Sequence, residues 1–177
     1  MTTSFFKASP DIIKPYALMD LDDTLFQTQR KIDAWDLLTT EPESLVCATV
    51  NKQDEPLSFM SQRQATFFNW LLASTELIVV TARDRSEIKR VKLPFDSWQV
   101  LTHGAIILTS DGALLSSWQQ HMYSKLATLQ VKLTKLSQLF ASHSQSEQSH
   151  LVFTPHIDSF NNGSVDKELT IYLAIKH

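Results

Sequence analysis

Three carboxylates in four positions, Asp20, Asp22 and Asp23, carry the most chemistry in this sequence. They follow an apolar run, Tyr16 to Leu21, that reads as a short buried strand behind Pro15. In an open α/β sheet, ligands bind beyond the carboxyl ends of the strands, and Asp20 stands at such an end. Asp22 is close enough in chain to share a site with Asp20. Crowded carboxylates repel, so the pair wants a cation. Hard oxygen donors without a histidine or cysteine alongside favour Mg²⁺. A carboxylate can also attack phosphorus to give an aspartyl-phosphate, while a second acid exchanges protons with leaving group and water. The plainer alternative is an acidic loop in which Asp23-Thr24 caps a helix.

The elements that must position these groups follow from local pattern. Residues 30–38 fit a short helix around Ile32, Trp35 and Leu38. Leu45 to Val50 and Pro56 to Met60 fit the arms of a hairpin with a polar turn at Asn51 to Glu55. Residues 62–74 read as a helix with Phe67, Trp70 and Leu71 on its apolar stripe. Glu76 to Thr81 reads as a second buried strand, rich in β-branched side chains. A charged helix over 84–92 follows, stopped by Pro94. Short strands are expected at 98–101 and 105–109, broken by His103-Gly104. Strand, excursion, helix, strand, helix, strand predicts a parallel α/β sheet.

Beyond Gly112 the style changes. Leu126, Leu129, Leu133, Leu136 and Phe140 recur at spacings of three and four, predicting an amphipathic helix over 124–141 that covers a sheet. His143 to His150 reads as a polar loop. Residues 151–160 read as a strand pushed toward an edge by Pro155. In 169–177, Leu169, Ile171, Leu173 and Ile175 alternate with Thr170, Tyr172 and Lys176, as in a half-exposed antiparallel strand. The expected division is an α/β core over 1–115, with a hairpin flap at about 44–60, and an α+β lobe over 116–177.

Composition narrows the function classes. A net charge of −3 gives no electrostatic footprint for nucleic acid. The cluster Arg83, Arg85, Lys89, Arg90 and Lys92 reads as a solvated helix face. No run approaches the ~20 apolar residues of a membrane span, and the first residues lack a signal-peptide pattern. A cytoplasmic protein is therefore expected. One cysteine, Cys47, in the apolar run Leu45-Val46-Cys47-Ala48, excludes an intrachain disulfide and reads as packing.

Met19-Asp20-Leu21-Asp22-Asp23-Thr24-Leu25-Phe26 closely resembles the first motif of the haloacid-dehalogenase (HAD) superfamily. The resemblance implies a HAD-like Rossmannoid sheet, Asp20 as nucleophile and Asp22 as general acid/base. It also implies Mg²⁺ held by Asp20 and by the backbone carbonyl of Asp22. Leu77-Ile78-Val79-Val80-Thr81 is similar to the second motif, whose Thr or Ser holds the phosphoryl group. Thr81-Ala82-Arg83 resembles the T-x-R of the branch with Cof-type, sucrose-phosphate and mannosyl-phosphoglycerate phosphatases, so Thr81, Ala82 and Arg83 are the expected phosphate-binding residues.

That branch continues with N-G-A and an apolar strand. Here it is His103-Gly104-Ala105-Ile106-Ile107-Leu108, with His103 in place of asparagine and better read as a structural hydrogen-bonder. The 44–60 hairpin lengthens the usual segment between the two motifs. Residues ~116–177 resemble the start of an α+β cap. The third motif, a lysine, and the fourth, an acidic pair, are not found. Lys89 and Lys92 fall too early, and Asp158 and Asp166 have the wrong spacing. With only three candidate parallel strands, the expectation is the front part of a longer chain.

The implied activity is Mg²⁺-dependent hydrolysis of a small phosphorylated metabolite, sugar phosphate-like, through an aspartyl-phosphate. The alternatives are a catalytically incomplete HAD-like fragment or a binding or regulatory module, and a phosphotransferase or phosphomutase using the same intermediate.

Overall fold

The computed structural model describes residues 13–34, 44–144 and 152–176. The chain is a mixed α/β protein with parallel and antiparallel strands, divided into two compact units, Met1–His103 and Gly104–His177.

In the first unit, β1 (Tyr16–Met19) and β5 (Glu76–Val80) lie side by side and parallel, with Ala17 opposite Leu77 and Met19 opposite Val79. β6 (Gln99–Leu101) continues the parallel order on the far side of β5, so β5 is the central strand of the three. Its Leu77 and Val79 are buried to 2% and 0% exposure. β1 departs from the expectation of a strand buried on both faces. It pairs with β5 alone among the described strands, and Tyr16 and Leu18 are 72% and 69% exposed. An apolar run does not distinguish a central strand from the outermost one.

A second sheet sits between β1 and β5 in the chain. It runs β2 (Gln27–Thr28), β4 (Pro56–Met60), β3 (Val46–Val50), all antiparallel. Asn51 closes the hairpin turn. Its Oδ1 accepts from the backbone N–H groups of Gln53 and Glu55. α1 covers Gln29–Ala34 and buries Ile32; the remainder of the expected helix, with Trp35 and Leu38, lies outside the described residues.

α2 (Gln62–Ser74) starts on a full capping box. Gln64 N–H donates to Ser61 Oγ (3.2 Å), and Ser61 N–H donates to Gln64 Oε1 (2.9 Å). Gln64 Nε2 then donates to Oε1 of buried Gln27 (3.0 Å), which fixes the helix start to β2. The buried stripe of α2 is Phe68 and Leu71. Phe67 and Trp70, expected there, are exposed and stack on each other at 5.9 Å.

The expected helix over 84–92 shrinks to α3 (Arg85–Ile88), capped by Asp84. Tertiary pairing overrides the local pattern. Val50 N–H donates to Arg90 O (3.0 Å), Lys92 N–H donates to Ala48 O (2.8 Å), and Thr49 bridges Val91 antiparallel. Residues 90–92 extend the hairpin sheet instead of the helix, and β3 carries a bulge at Ala48 where this pairing occurs.

In the second unit, β7 (Ile106–Leu108) leads into a tight turn, Thr109–Ala113, closed by an antiparallel bridge between Leu108 and Leu114. α4 spans Ser116–Ser144, eight residues earlier at its start than its periodicity predicts. It packs on an antiparallel ribbon of β8 (Val152–Asn161) and β9 (Asp166–Lys176). Leu126 of α4, Phe160 of β8 and Leu169 of β9 form its buried centre, whereas Leu129 and Leu136 of the expected stripe are exposed. Pro155 takes a place in the ribbon opposite Leu173. The even alternation expected for β9 is interrupted, because Thr170 and Tyr172 pair with adjacent residues Ile157 and His156, leaving Ile171 as a bulge. Gln130 of α4 reaches this point: its Nε2 donates to Thr170 O (2.9 Å), and its Oε1 accepts from Thr170 N–H (3.0 Å). Most of the polar loop expected at 143–150 lies outside the described residues.

Candidate active site

The acidic loop after β1 sorts its residues by polarity. Leu21, Leu25 and Phe26 are buried to 1% exposure or less, while Asp20, Asp22 and Asp23 face solvent. The three apolar anchors hold the loop down, and the backbone winds around one carbonyl. Leu21 O accepts from Leu25 N–H (2.9 Å) and Phe26 N–H (3.3 Å), and Asp23 N–H donates to Phe26 O (2.9 Å). Asp23 has a φ of 61°, in the left-handed region that aspartate tolerates better than most residues. Asp23 and Thr24 thus shape a turn and do not cap a helix. Asp23 pairs with Lys31 of α1.

Four of the expected site residues, Asp20, Asp22, Thr81 and Arg83, have a defined partner. Asp20 Oδ2 accepts from the Thr24 hydroxyl (3.2 Å). Both oxygens of Asp22 are taken by Arg83, whose Nε and Nη2 donate at 2.7 and 2.8 Å. Thr81, at the carboxyl end of β5, is buried, and its Oγ1 accepts from Arg83 N–H (3.2 Å). A hydroxyl that accepts there keeps its proton to donate elsewhere. Ala82 is exposed in the same loop. The loops after the two neighbouring parallel strands are therefore joined by a side-chain pair spanning 61 residues of chain.

The turn after β6 joins them. His103 N–H donates to Thr81 O (3.3 Å), and Thr102 N–H donates to Arg83 O (3.0 Å). Thr102 and His103 have φ values of 53° and 55°, and for a β-branched residue such as Thr102 that is strained. Thr102 is also buried, and its hydroxyl has no hydrogen-bond partner among the described residues. Carboxylate loop, threonine loop and strained turn converge at the same end of the three strands.

The remaining sequence candidates lie elsewhere. Lys92 pairs with Asp54 of the hairpin turn (3.6 Å), and Lys89 is exposed at the end of α3. Asp158 and Asp166 belong to the ribbon of the second unit. Sequence reasoning missed two supporting residues. Thr24, although part of the quoted motif, was not recognised as the partner of Asp20. Phe26 lies beneath the Arg83 guanidinium, 5.4 Å from carbon to ring centroid, and only its buried-aromatic type hinted at a supporting role.

Among the described residues no group of three or more His, Cys, Asp or Glu side chains is placed to hold a metal. Mg²⁺ does not require one. It commonly keeps several waters and binds through one or two carboxylates plus substrate phosphate oxygens. Exposed Asp20 fits such an ion, while the Asp22 carboxylate is committed to Arg83.

No family model matches the chain, and no curated protein matches it. Among the described residues, no helix is long and apolar enough to cross a membrane.

Proposed function

We propose that the first unit is a HAD-like phosphohydrolase core that hydrolyses a small phosphorylated metabolite, sugar phosphate-like, through an aspartyl-phosphate on Asp20. The observation that carries this reading is the shared position of two groups. Asp20 follows β1 and Thr81 follows β5, adjacent parallel strands, with Asp22 and Arg83 bridging the loops.

An Asp20 carboxylate oxygen attacks phosphorus in line with the leaving oxygen, and the P–O bond to the leaving group breaks. Asp22 gives the leaving alkoxide its proton. It then takes a proton from water, whose oxygen attacks the aspartyl-phosphate, freeing Asp20 and releasing inorganic phosphate. The Thr81 hydroxyl donates to a phosphoryl oxygen, with Ala82 and Arg83 completing the phosphate loop. Mg²⁺, when bound by Asp20 and the Asp22 carbonyl, supplies neutralising charge at the phosphoryl group.

Asp20→Asn should abolish release of inorganic phosphate from a substrate that the wild-type chain turns over. Retained turnover in a pure sample would rule out the nucleophile. A second reading, phosphate or Mg²⁺ binding without turnover, draws support from the Asp22–Arg83 pair, which occupies both oxygens of the acid/base carboxylate. Calorimetric titration showing binding by a chain that releases no phosphate from any of a panel of phosphate esters would favour it.

A further inference from the structure

Arg83 is held at three levels. Its backbone N–H and carbonyl are bonded to Thr81 and Thr102, its guanidinium lies over buried Phe26, and its fork grips both oxygens of Asp22. The two partners differ in burial: the Arg83 side chain is 13% exposed and that of Asp22 is 49% exposed. Release is therefore asymmetric. Asp22 can turn into water and regain hydration at little cost, whereas an uncompensated Arg83 would stay largely enclosed. The planar fork that fits a carboxylate also fits a phosphoryl group, which brings more negative charge. Three other cations of this unit are engaged elsewhere: Lys31 with Asp23, Arg90 with Glu87 and Lys92 with Asp54.

We propose that Arg83 is an exchangeable latch: it holds Asp22 while the site is empty and passes to the phosphoryl group on binding, which frees Asp22. The identity of the incoming anion rests on the phosphohydrolase reading. The latch couples occupancy to the availability of the acid/base group. Asp22 is therefore a competitor of phosphate for the same guanidinium.

Competition is readable from binding alone. Inorganic phosphate is titrated calorimetrically into the full chain and into Asp22→Asn, Arg83→Gln and the double variant. Asp22→Asn should bind phosphate about five- to tenfold more tightly, the scale of one partly exposed ion pair. The gain should vanish when Arg83→Gln is also present. Asp23→Asn removes a neighbouring carboxylate that does not touch Arg83, and should change affinity less than about twofold. If Arg83→Gln does not fold, Arg83→Lys serves, because it keeps the charge and loses the fork; the gain should still fall. A gain that persists without Arg83, a gain equalled by Asp23→Asn, unchanged affinity in Asp22→Asn, or no phosphate binding by any form would each overturn the latch. Phosphate release by Asp20→Asn would sink the nucleophile and leave this cycle standing, so the two failures are distinguishable.

Discussion

Gln64 should contribute more to stability than the cap residue it faces. In Ser61→Ala, the Gln64 N–H loses its acceptor, and cap deletions of this kind cost about 1 kcal/mol. Gln64→Ala removes two interactions. Ser61 N–H loses its acceptor, and Oε1 of Gln27 loses its donor at a site only 7% exposed. Leaving a buried polar atom unsatisfied costs about 1–3 kcal/mol. Alanine's better helix propensity returns a few tenths, roughly, so the expected loss is about 2 kcal/mol. Gln64→Glu is the informative control. It keeps the acceptor for Ser61 N–H, and the Gln27 amide can turn over to donate to the new carboxylate. It should be nearly neutral. Urea unfolding followed by far-ultraviolet circular dichroism gives the order directly. In melting temperature the shifts are roughly 2–4 °C for Ser61→Ala and twice that for Gln64→Ala. If Ser61→Ala proves the more costly variant, or Gln64→Glu as costly as Gln64→Ala, the link from α2 to β2 does not carry the energy assigned to it.

Two further predictions concern strain and charge. Thr102→Gly should stabilise the chain by about 1 kcal/mol, because relief of left-handed strain and loss of a buried unpartnered hydroxyl outweigh the unfolded-state entropy of glycine; destabilisation in urea would show that the turn is not strained. In the Thr109–Ala113 turn, the Thr109 hydroxyl and then the Ala113 N–H hold the Asp111 carboxyl below the ordinary aspartate value of 3.8. A lowered value means that the turn's extra stability is present above pH 3.8 and is lost as pH falls through the lower, folded-state value. An NMR titration of Asp111 with its midpoint at or above 3.8 would contradict this.

The acidic loop was legible in sequence because its logic is local. Three carboxylates cluster at the end of the apolar run Tyr16 to Leu21, which marks a strand end, whereas the burial of Leu25 and Phe26 beneath them emerged only in the structure. The hairpin was legible for the same reason, since two β-rich arms flank one polar turn. What failed depended on distant partners. Residues 90–92 had helical spacing, but β3 offered them unpaired backbone and they took it. The face of β1 could not be read from its own apolar run, because exposure depends on which strands flank it. Within the site, Arg83 was marked as a candidate by its position after Thr81, but its grip on Asp22 joins residues 61 apart and left no local signal. The bulge at Ile171 was equally silent, since it arises from pairing with β8 and from the amide of Gln130.

That amide changes what sets the alignment of the ribbon. In most hairpins the connecting turn dictates which residues face each other. Here a glutamine on α4 offers Thr170 one donor and one acceptor, as a fragment of a third strand would. β9 is thereby indexed against a helix, independently of the exposed connection at Asn162–Val165. The connection can be lengthened, or opened to receive a foreign peptide, while Leu169 keeps its place in the interior. Position 130 is correspondingly intolerant, since glutamate lacks the donor, lysine lacks the acceptor, and asparagine falls one methylene short.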